Sequence, residues 1–191
     1  ADLRAGTWNK KAYSKAEGLF GRRMGIIGVG DIGIATAARA SAFGIDVVAV
    51  AKPGRSDLAV ARAEAAGITF VDTLDELLAS SDIVSLHVPG SADTKGMVDA
   101  AFLAKMKDGA VLVNTSRGDV VDEAALIDAM DNRGMRAGLD VYANEPGSGT
   151  AEFDSTLAKH PSVVGTHHVG ASTNQAQAAV TDGTIDTVQA Y

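Results

Sequence analysis

Short runs of β-branched and aliphatic residues alternate along the chain with longer stretches whose apolar positions recur every three to four residues. The short runs, MGIIG, DVVAVA, TFV, IVSL, AVLVN, AGLD and VVGT, predict strands over 24–28, 46–51, 69–71, 83–86, 110–114, 137–140 and 163–166. The longer stretches predict helices over 32–43, 57–66, 73–79, 100–106 and 122–130, with a last one over 173–191. Thr73 with Glu76, and Ser172 with Gln175, have the spacing of a capping box and mark helix starts. Gly183 weakens the last helix locally. IVSL and AVLVN carry almost no polar residues, so these strands are buried on both faces. Strands alternating with helices predict an α/β fold: a doubly wound parallel sheet with right-handed crossovers, in three αβα layers. Such sheets bind ligands beyond the carboxyl ends of their strands, so chemistry is sought in the residues that come after each strand.

Composition narrows the classes. The chain has 191 residues, 46% hydrophobic but only 5% aromatic, which suits an aliphatic α/β protein with one substantial core. With no cysteine, disulfides and thiolate metal sites are excluded, and no metal is expected. A formal net charge of −7 argues against a general nucleic-acid binder. No apolar run approaches the ~20 residues of a membrane span, and no signal-peptide pattern opens the chain. A cytoplasmic protein with no membrane partner is therefore expected. The chain begins ADLRAGTW, without an initiator Met and in the middle of a helical pattern, and reads as a fragment.

Between the first strand and first long helix lies GIIGVGDIG. Gly28, Gly30 and Gly33 spell G-x-G-x-x-G in strand–turn–helix context. The first glycine suits the tight turn, the second a close approach of pyrophosphate, the third helix–strand packing. The helix N-terminus adds free N–H groups and a partial positive charge. This reading is a Rossmann-type dinucleotide site; the competing one is a glycine-rich turn of an ordinary α/β protein. The carboxylate that usually meets the ribose should stand at the end of the second strand. Asp46 opens that strand instead, at the far end, and Ala51 occupies the ribose position.

Three further post-strand segments carry chemistry. Arg117 comes after the fifth strand in VLVNTSRGD, where a helix-end ion pair with Asp119 or Asp122 is the simpler reading. GLDVYANEP places Asp140 at a strand end and Glu145 in the loop beyond, and both could be solvated loop acids. VVGTHHVGAST places His167 and His168 after the last strand; one packed and one exposed histidine would be ordinary. Together, at the ligand-facing ends of one sheet, they suit reduction of a 2-keto acid. Histidine can supply the proton for the carbonyl oxygen. A neighbouring carboxylate would favour its imidazolium form and fix its orientation. A guanidinium can grip the substrate carboxylate as a fork.

The segments MKDGAVLVNTSRGDVVDEAAL, GLDVYANEP and SLHVP resemble the D-2-hydroxyacid dehydrogenases over nearly the whole chain. The resemblance implies a nicotinamide-dependent oxidoreductase acting on a small 2-hydroxy or 2-keto acid. It makes Arg117 the substrate-binding arginine, Glu145 the acid paired with histidine, and His168 the proton donor. His168 is preferred over His167 because the family reads Thr-Pro-His before an aliphatic residue and Gly; in THHVG, His167 stands where the proline would be. The cofactor contacts it implies are Gly28, Gly30, Asp31, Ile32, Gly33, Thr115, Ser116, Arg117, Asp140 and the run His168, Val169, Gly170, Ala171. His87, Val88, Pro89 and Thr94 border the nicotinamide side, although the His87 ring, like His160, is expected to be structural. The run HVGASTNQAQ is most similar to the 3-phosphoglycerate dehydrogenases; glyoxylate and hydroxypyruvate reductases usually differ there. The loop EPGSGTAEFDSTL departs from the family by lacking a proline before its last leucine.

In this family the cofactor domain is inserted into a substrate domain. By resemblance, residues 1–20 form an arm that pairs two cofactor domains in a homodimer. Residues 21–172 form the dinucleotide-binding domain, and residues 173–191 a helix returning toward a substrate domain expected to lie outside the chain. A dinucleotide-sensing corepressor, or a binding module without turnover, would keep the same residues. For the cofactor, NAD and NADP both remain open. Ala51 lacks the acid, while Lys52, Arg55 and Ser56 stand in and after a Pro53–Gly54 turn, which favours NADP or dual use.

Overall fold

The computed structural model describes residues 2–147 and 149–189. Seven strands form one sheet: β1 (Arg23–Ile27), β2 (Asp46–Val50), β3 (Ile68–Val71), β4 (Ile83–Leu86), β5 (Val111–Asn114), β6 (Arg136–Leu139) and β7 (Val163–Gly165). Eight α-helices flank or join them: α1 (Lys10–Tyr13), α2 (Asp31–Ala42), α3 (Asp57–Ala65), α4 (Leu74–Ser80), α5 (Ala100–Lys105), α6 (Glu123–Arg133), α7 (Thr156–Lys159) and α8 (Asn174–Gln189).

Every strand pair is parallel, in the order β3-β2-β1-β4-β5-β6-β7. The chain order therefore reverses between β1 and β4, which makes the edge beside β1 the switch point of a doubly wound sheet. Period-two alternation feeds both faces. Val47 and Ala49 join Ile26, Ala37, Ala63 and Ile68 in one core, while Val48 points the other way into a larger core with Leu77, Val84, Leu112 and Leu126. All four residues of β4 are buried, Ser85 included, as its nearly continuous apolar run predicts.

All seven predicted strands are present. Four end one residue earlier than predicted: Gly28, Ala51, Asp140 and Thr166 begin the loops of the carboxyl edge, the last three still donating their backbone N–H to the neighbouring strand. The Thr73 hydroxyl accepts from Glu76 N–H at 3.1 Å, but the Glu76 carboxylate reaches back to Asp72 N–H rather than to Thr73. The last helix is capped by Thr173, not Ser172: Thr173 Oγ1 accepts from Ala176 N–H at 3.2 Å. The predicted end of that helix, at Tyr191, lies outside the described residues. Helix α6 outlasts its prediction by three residues because Arg133 is tied down. Its guanidinium donates to the Leu103 and Met106 carbonyls and to Asp108. The short helices α1 and α7, and 3-10 turns at Asp2–Ala5 and Gly118–Val120, had no periodic signal.

Candidate functional site

The loops that leave the carboxyl edge run in one line, from Ala51 after β2, through the glycine loop after β1, to His168 after β7. In the glycine loop each glycine has a separate steric reason. A Cβ at Gly28 would meet the His87 carbonyl oxygen at 2.2 Å, and φ there is +103°. At Gly33 it would meet the Gly28 carbonyl oxygen at 2.1 Å, so this glycine sets how closely α2 seats on β1. Gly30 has open space around it and begins α2 without any side-chain cap, so the first-turn N–H groups are left for a ligand.

A cavity of about 680 Å³ opens above this loop. Of the expected cofactor contacts, Gly28, Gly30, Lys52, Arg55, His87, Val88, Pro89 and Thr94 line it. Its volume, apolar floor and uncapped helix end fit the adenosine and diphosphate of a dinucleotide. Asp46 is remote from the cavity, paired with Arg23 at 2.7 Å where β1 and β2 begin. Ala51 lines it just past the end of β2, and the one carboxylate among the described lining residues is Asp93, in the loop after β4. Arg55 lies over the Phe70 ring, 4.9 Å from its centroid, and no salt bridge joins it to Asp57 among the described residues. The Ser56 hydroxyl is already used, capping α3 through Ala59 N–H. Asp31 pairs with Arg62 of α3 at 2.8 Å, and Ile32 is exposed.

The loop after β4 is held by Thr94, whose hydroxyl donates to the Pro89 carbonyl at 2.6 Å and accepts from Ser91 N–H at 3.0 Å. The His87 ring bonds the Ser85 hydroxyl at 2.9 Å, and burial pushes its pKa down, which favours neutral imidazole. At the end of β5, buried Asn114 organises the turn that carries Ser116 and Arg117. Its amide donates to the Arg117 carbonyl at 2.8 Å, and its oxygen accepts from the N–H and hydroxyl of Ser116. Arg117 itself is exposed beside Gly90 and pairs with neither Asp119 nor Asp122 among the described residues. Thr115 is exposed.

Glu145 Oε2 lies 2.6 Å from His168 Nδ1, while its Oε1 accepts from Tyr142 N–H at 2.8 Å. The carboxylate is thus fixed from one side and holds the imidazole with the other. His168 has φ +53°, the only positive value outside glycine among the described residues. Asp140 keeps it there. Its carboxylate accepts from the Thr166 hydroxyl and from the N–H groups of Val169 and Gly170, and its carbonyl from His168 N–H at 2.8 Å. Burial alone would raise the Asp140 pKa; these hydrogen bonds and the nearby His168 outweigh it and hold it low. Asp140 therefore spends its oxygens on the histidine loop. His167 makes no such pair among the described residues. Gly170 sits against Asp140, and the Ala171 carbonyl accepts from Gln177.

The sequence did not single out Asn114 or Tyr142. Tyr142 joins the two chemical loops: a Cβ at Gly118 would meet its carbonyl at 2.0 Å, its ring packs edge-on against Phe153, and its N–H holds Glu145. Asn114 offered one signal, a polar residue closing a buried strand. Among the described residues no group of His, Cys, Asp and Glu could hold a metal ion, and no helix is long and apolar enough to cross a membrane.

The profile of the family described as D-isomer specific 2-hydroxyacid dehydrogenase, NAD binding domain, matches residues 1–170. A D-3-phosphoglycerate dehydrogenase of Mycobacterium leprae (strain TN) is 43% identical over 178 residues, covering 93% of this chain and 32% of that protein. The chain thus spans about a third of the length of that relative. A D-lactate dehydrogenase of Aquifex aeolicus, solved with NAD and lactic acid, superposes with a TM-score of 0.81 at 30% identity over 98% of this chain and 58% of its own. An acyclic imino acid reductase solved with NADPH and D-Arg superposes with a TM-score of 0.83 at 29% identity, covering 99% of this chain and 57% of its own.

Proposed function

The chain belongs to the D-isomer-specific 2-hydroxyacid dehydrogenase family, as its NAD-binding domain, and we propose that it holds the cofactor and the proton-transfer group of an oxidoreductase interconverting a D-2-hydroxy acid and a 2-keto acid. The observation that carries the reading is the 2.6 Å pair of His168 and Glu145 on the same sheet edge as the glycine loop. Bound nicotinamide supplies or accepts the hydride. The chain's own residues do the rest. Because Glu145 engages Nδ1, the Nε2 of His168 is the nitrogen free to pass a proton to the carbonyl oxygen, or to take the hydroxyl proton in the reverse direction. Arg117, which makes no ion pair among the described residues and is held by Asn114 through its backbone, grips the substrate carboxylate.

The substrate reading is 3-phosphoglycerate, supported by the HVGASTNQAQ run and by the 43% identity to a D-3-phosphoglycerate dehydrogenase; hydroxypyruvate or glyoxylate is the alternative. For the cofactor, the missing acid at Ala51 and the cations Lys52 and Arg55 on the cavity wall support NADP or dual use. Residues 1–20 serve as the pairing arm of a homodimer, a reading supported by exposed Leu3, Trp8, Leu19 and Phe20. Residues 173–191 lead back toward the substrate-binding part. The test is a steady-state assay of the full-length gene product with 3-phosphoglycerate, hydroxypyruvate and glyoxylate, each with both cofactors. Turnover lost in Arg117→Ala supports the reading; activity on none of the three acids overturns it.

A further inference from the structure

The cavity wall beside Ala51 holds a guanidinium whose surroundings are unusual. Arg55 stacks on Phe70, a residue of β3 on the adjacent strand, at 4.9 Å from the ring centroid. Its Nη1 is closed off from solvent and has no hydrogen-bond partner, the only such buried side-chain nitrogen or oxygen among the described residues. Buried donors are ordinarily paired, and a charged one most of all. Neither Ala51 nor Lys52 beside it can accept a bond through its side chain, and Asp93, the carboxylate on the same cavity, makes no salt bridge to it among the described residues. The ring holds the guanidinium through its carbon without using any N–H donor.

We propose that Phe70 is a specificity-determining residue for the cofactor: its ring pre-orients Arg55, with Lys52 beside it, to receive the 2′-phosphate on the adenosine ribose. This rests on the dinucleotide reading given above. It adds a residue outside the cofactor-binding loops, on a strand that contributes nothing else to the site. The geometry explains why a lone arginine in a Pro-Gly turn is ordered enough to discriminate. An unstacked Arg55 would have to give up rotamer freedom on binding, whereas the stacked one has already done so. The ring also keeps water from one face of the guanidinium, which strengthens its attraction for a dianion.

The experiment is a calorimetric titration of the 191-residue chain with NADPH, NADH, adenosine 2′-monophosphate and adenosine 5′-monophosphate at low salt. It compares the wild type, Phe70→Leu and Phe70→Trp. Phe70→Leu keeps an apolar side chain but loses the π face; Phe70→Trp keeps the platform. The expected result is that Phe70→Leu weakens NADPH and the 2′-monophosphate roughly 3- to 30-fold, the range of a cation–π contact. NADH and the 5′-monophosphate should change less than about twofold, and Phe70→Trp should retain NADPH binding. Equal loss of all four ligands in Phe70→Leu, or no loss of NADPH, overturns the proposal. Wild type that binds NADH but not the 2′-monophosphate also overturns it, while leaving the dinucleotide reading intact. Wild type that binds neither dinucleotide defeats that reading itself.

Discussion

His168 and Glu145 meet at 2.6 Å across the loops that leave β7 and β6, and both partners are held in place by other groups. Tyr142 N–H fixes the carboxylate; Asp140 fixes the backbone of the histidine. In the dehydrogenase proposed above, His168→Ala should lower kcat by about 10²- to 10⁴-fold, the worth of a general acid. His167→Ala should change it little. Steady-state rates of the two variants decide the matter, and the opposite ranking would place the proton donor one residue earlier.

Asp140 accepts from the Thr166 hydroxyl and two backbone N–H groups. In Asp140→Asn an amide replaces one of these acceptors, so thermal denaturation should show a loss of about 1–3 kcal/mol. The pH dependence is set by the sign of the shift. The folded pKa lies below the ordinary value of 3.8, so the stabilisation is complete above that value and drains away as pH falls through the folded one. Wild-type stability should decline below about pH 4, and the decline should be shallower in Asp140→Asn.

Much of the fold was legible because β4 and β5 announce themselves as apolar runs, although only β4 is buried throughout; in β5, expected to be buried on both faces, Leu112 and Asn114 are buried while Val111 and Val113 are half-buried. The placement of Asp46 at the wrong end of β2 was equally plain, since Gly44 precedes it and a strand's polarity is fixed by its turn. Features that stayed hidden depended on contacts between loops distant in sequence. Asp140 was expected as a cofactor contact; that its carboxylate also accepts from residues 26 to 30 positions away left no trace in the sequence. Ser172 and Thr173 are both competent caps, and the one that opens α8 is Thr173, whose hydroxyl accepts from Ala176 N–H. Histidine is among the residues enriched at positive φ, but nothing in THHVG says which of its two histidines adopts it.

Asn114 makes three hydrogen bonds to the turn that carries Arg117. Asn114→Ala should release that turn, raising KM for the acid substrate in the complete enzyme more than it lowers kcat. Loss of buried acceptors should also cost about 1–3 kcal/mol of stability. Paired kinetics and melting curves test both effects.

The glycines of the loop should separate binding from stability. Gly33→Ala drives a Cβ to 2.1 Å from the Gly28 carbonyl oxygen and should destabilise the chain by about 1–3 kcal/mol. With roughly 2–4 °C of Tm per kcal/mol at this size, the shift is easily read by calorimetry. Gly30→Ala meets nothing within 4 Å and should melt close to the wild type.

The claim that a dinucleotide lies over this loop is tested most directly by an equilibrium fluorescence titration of the chain with NADPH and NADH, wild type against Gly30→Val. A valine at Gly30 has room in the protein alone but stands where the diphosphate must approach. Saturable binding of reduced dinucleotide by the wild type, lost in a Gly30→Val variant that still melts normally, is the predicted result. Absence of saturable binding, or binding that survives Gly30→Val unchanged, would contradict it.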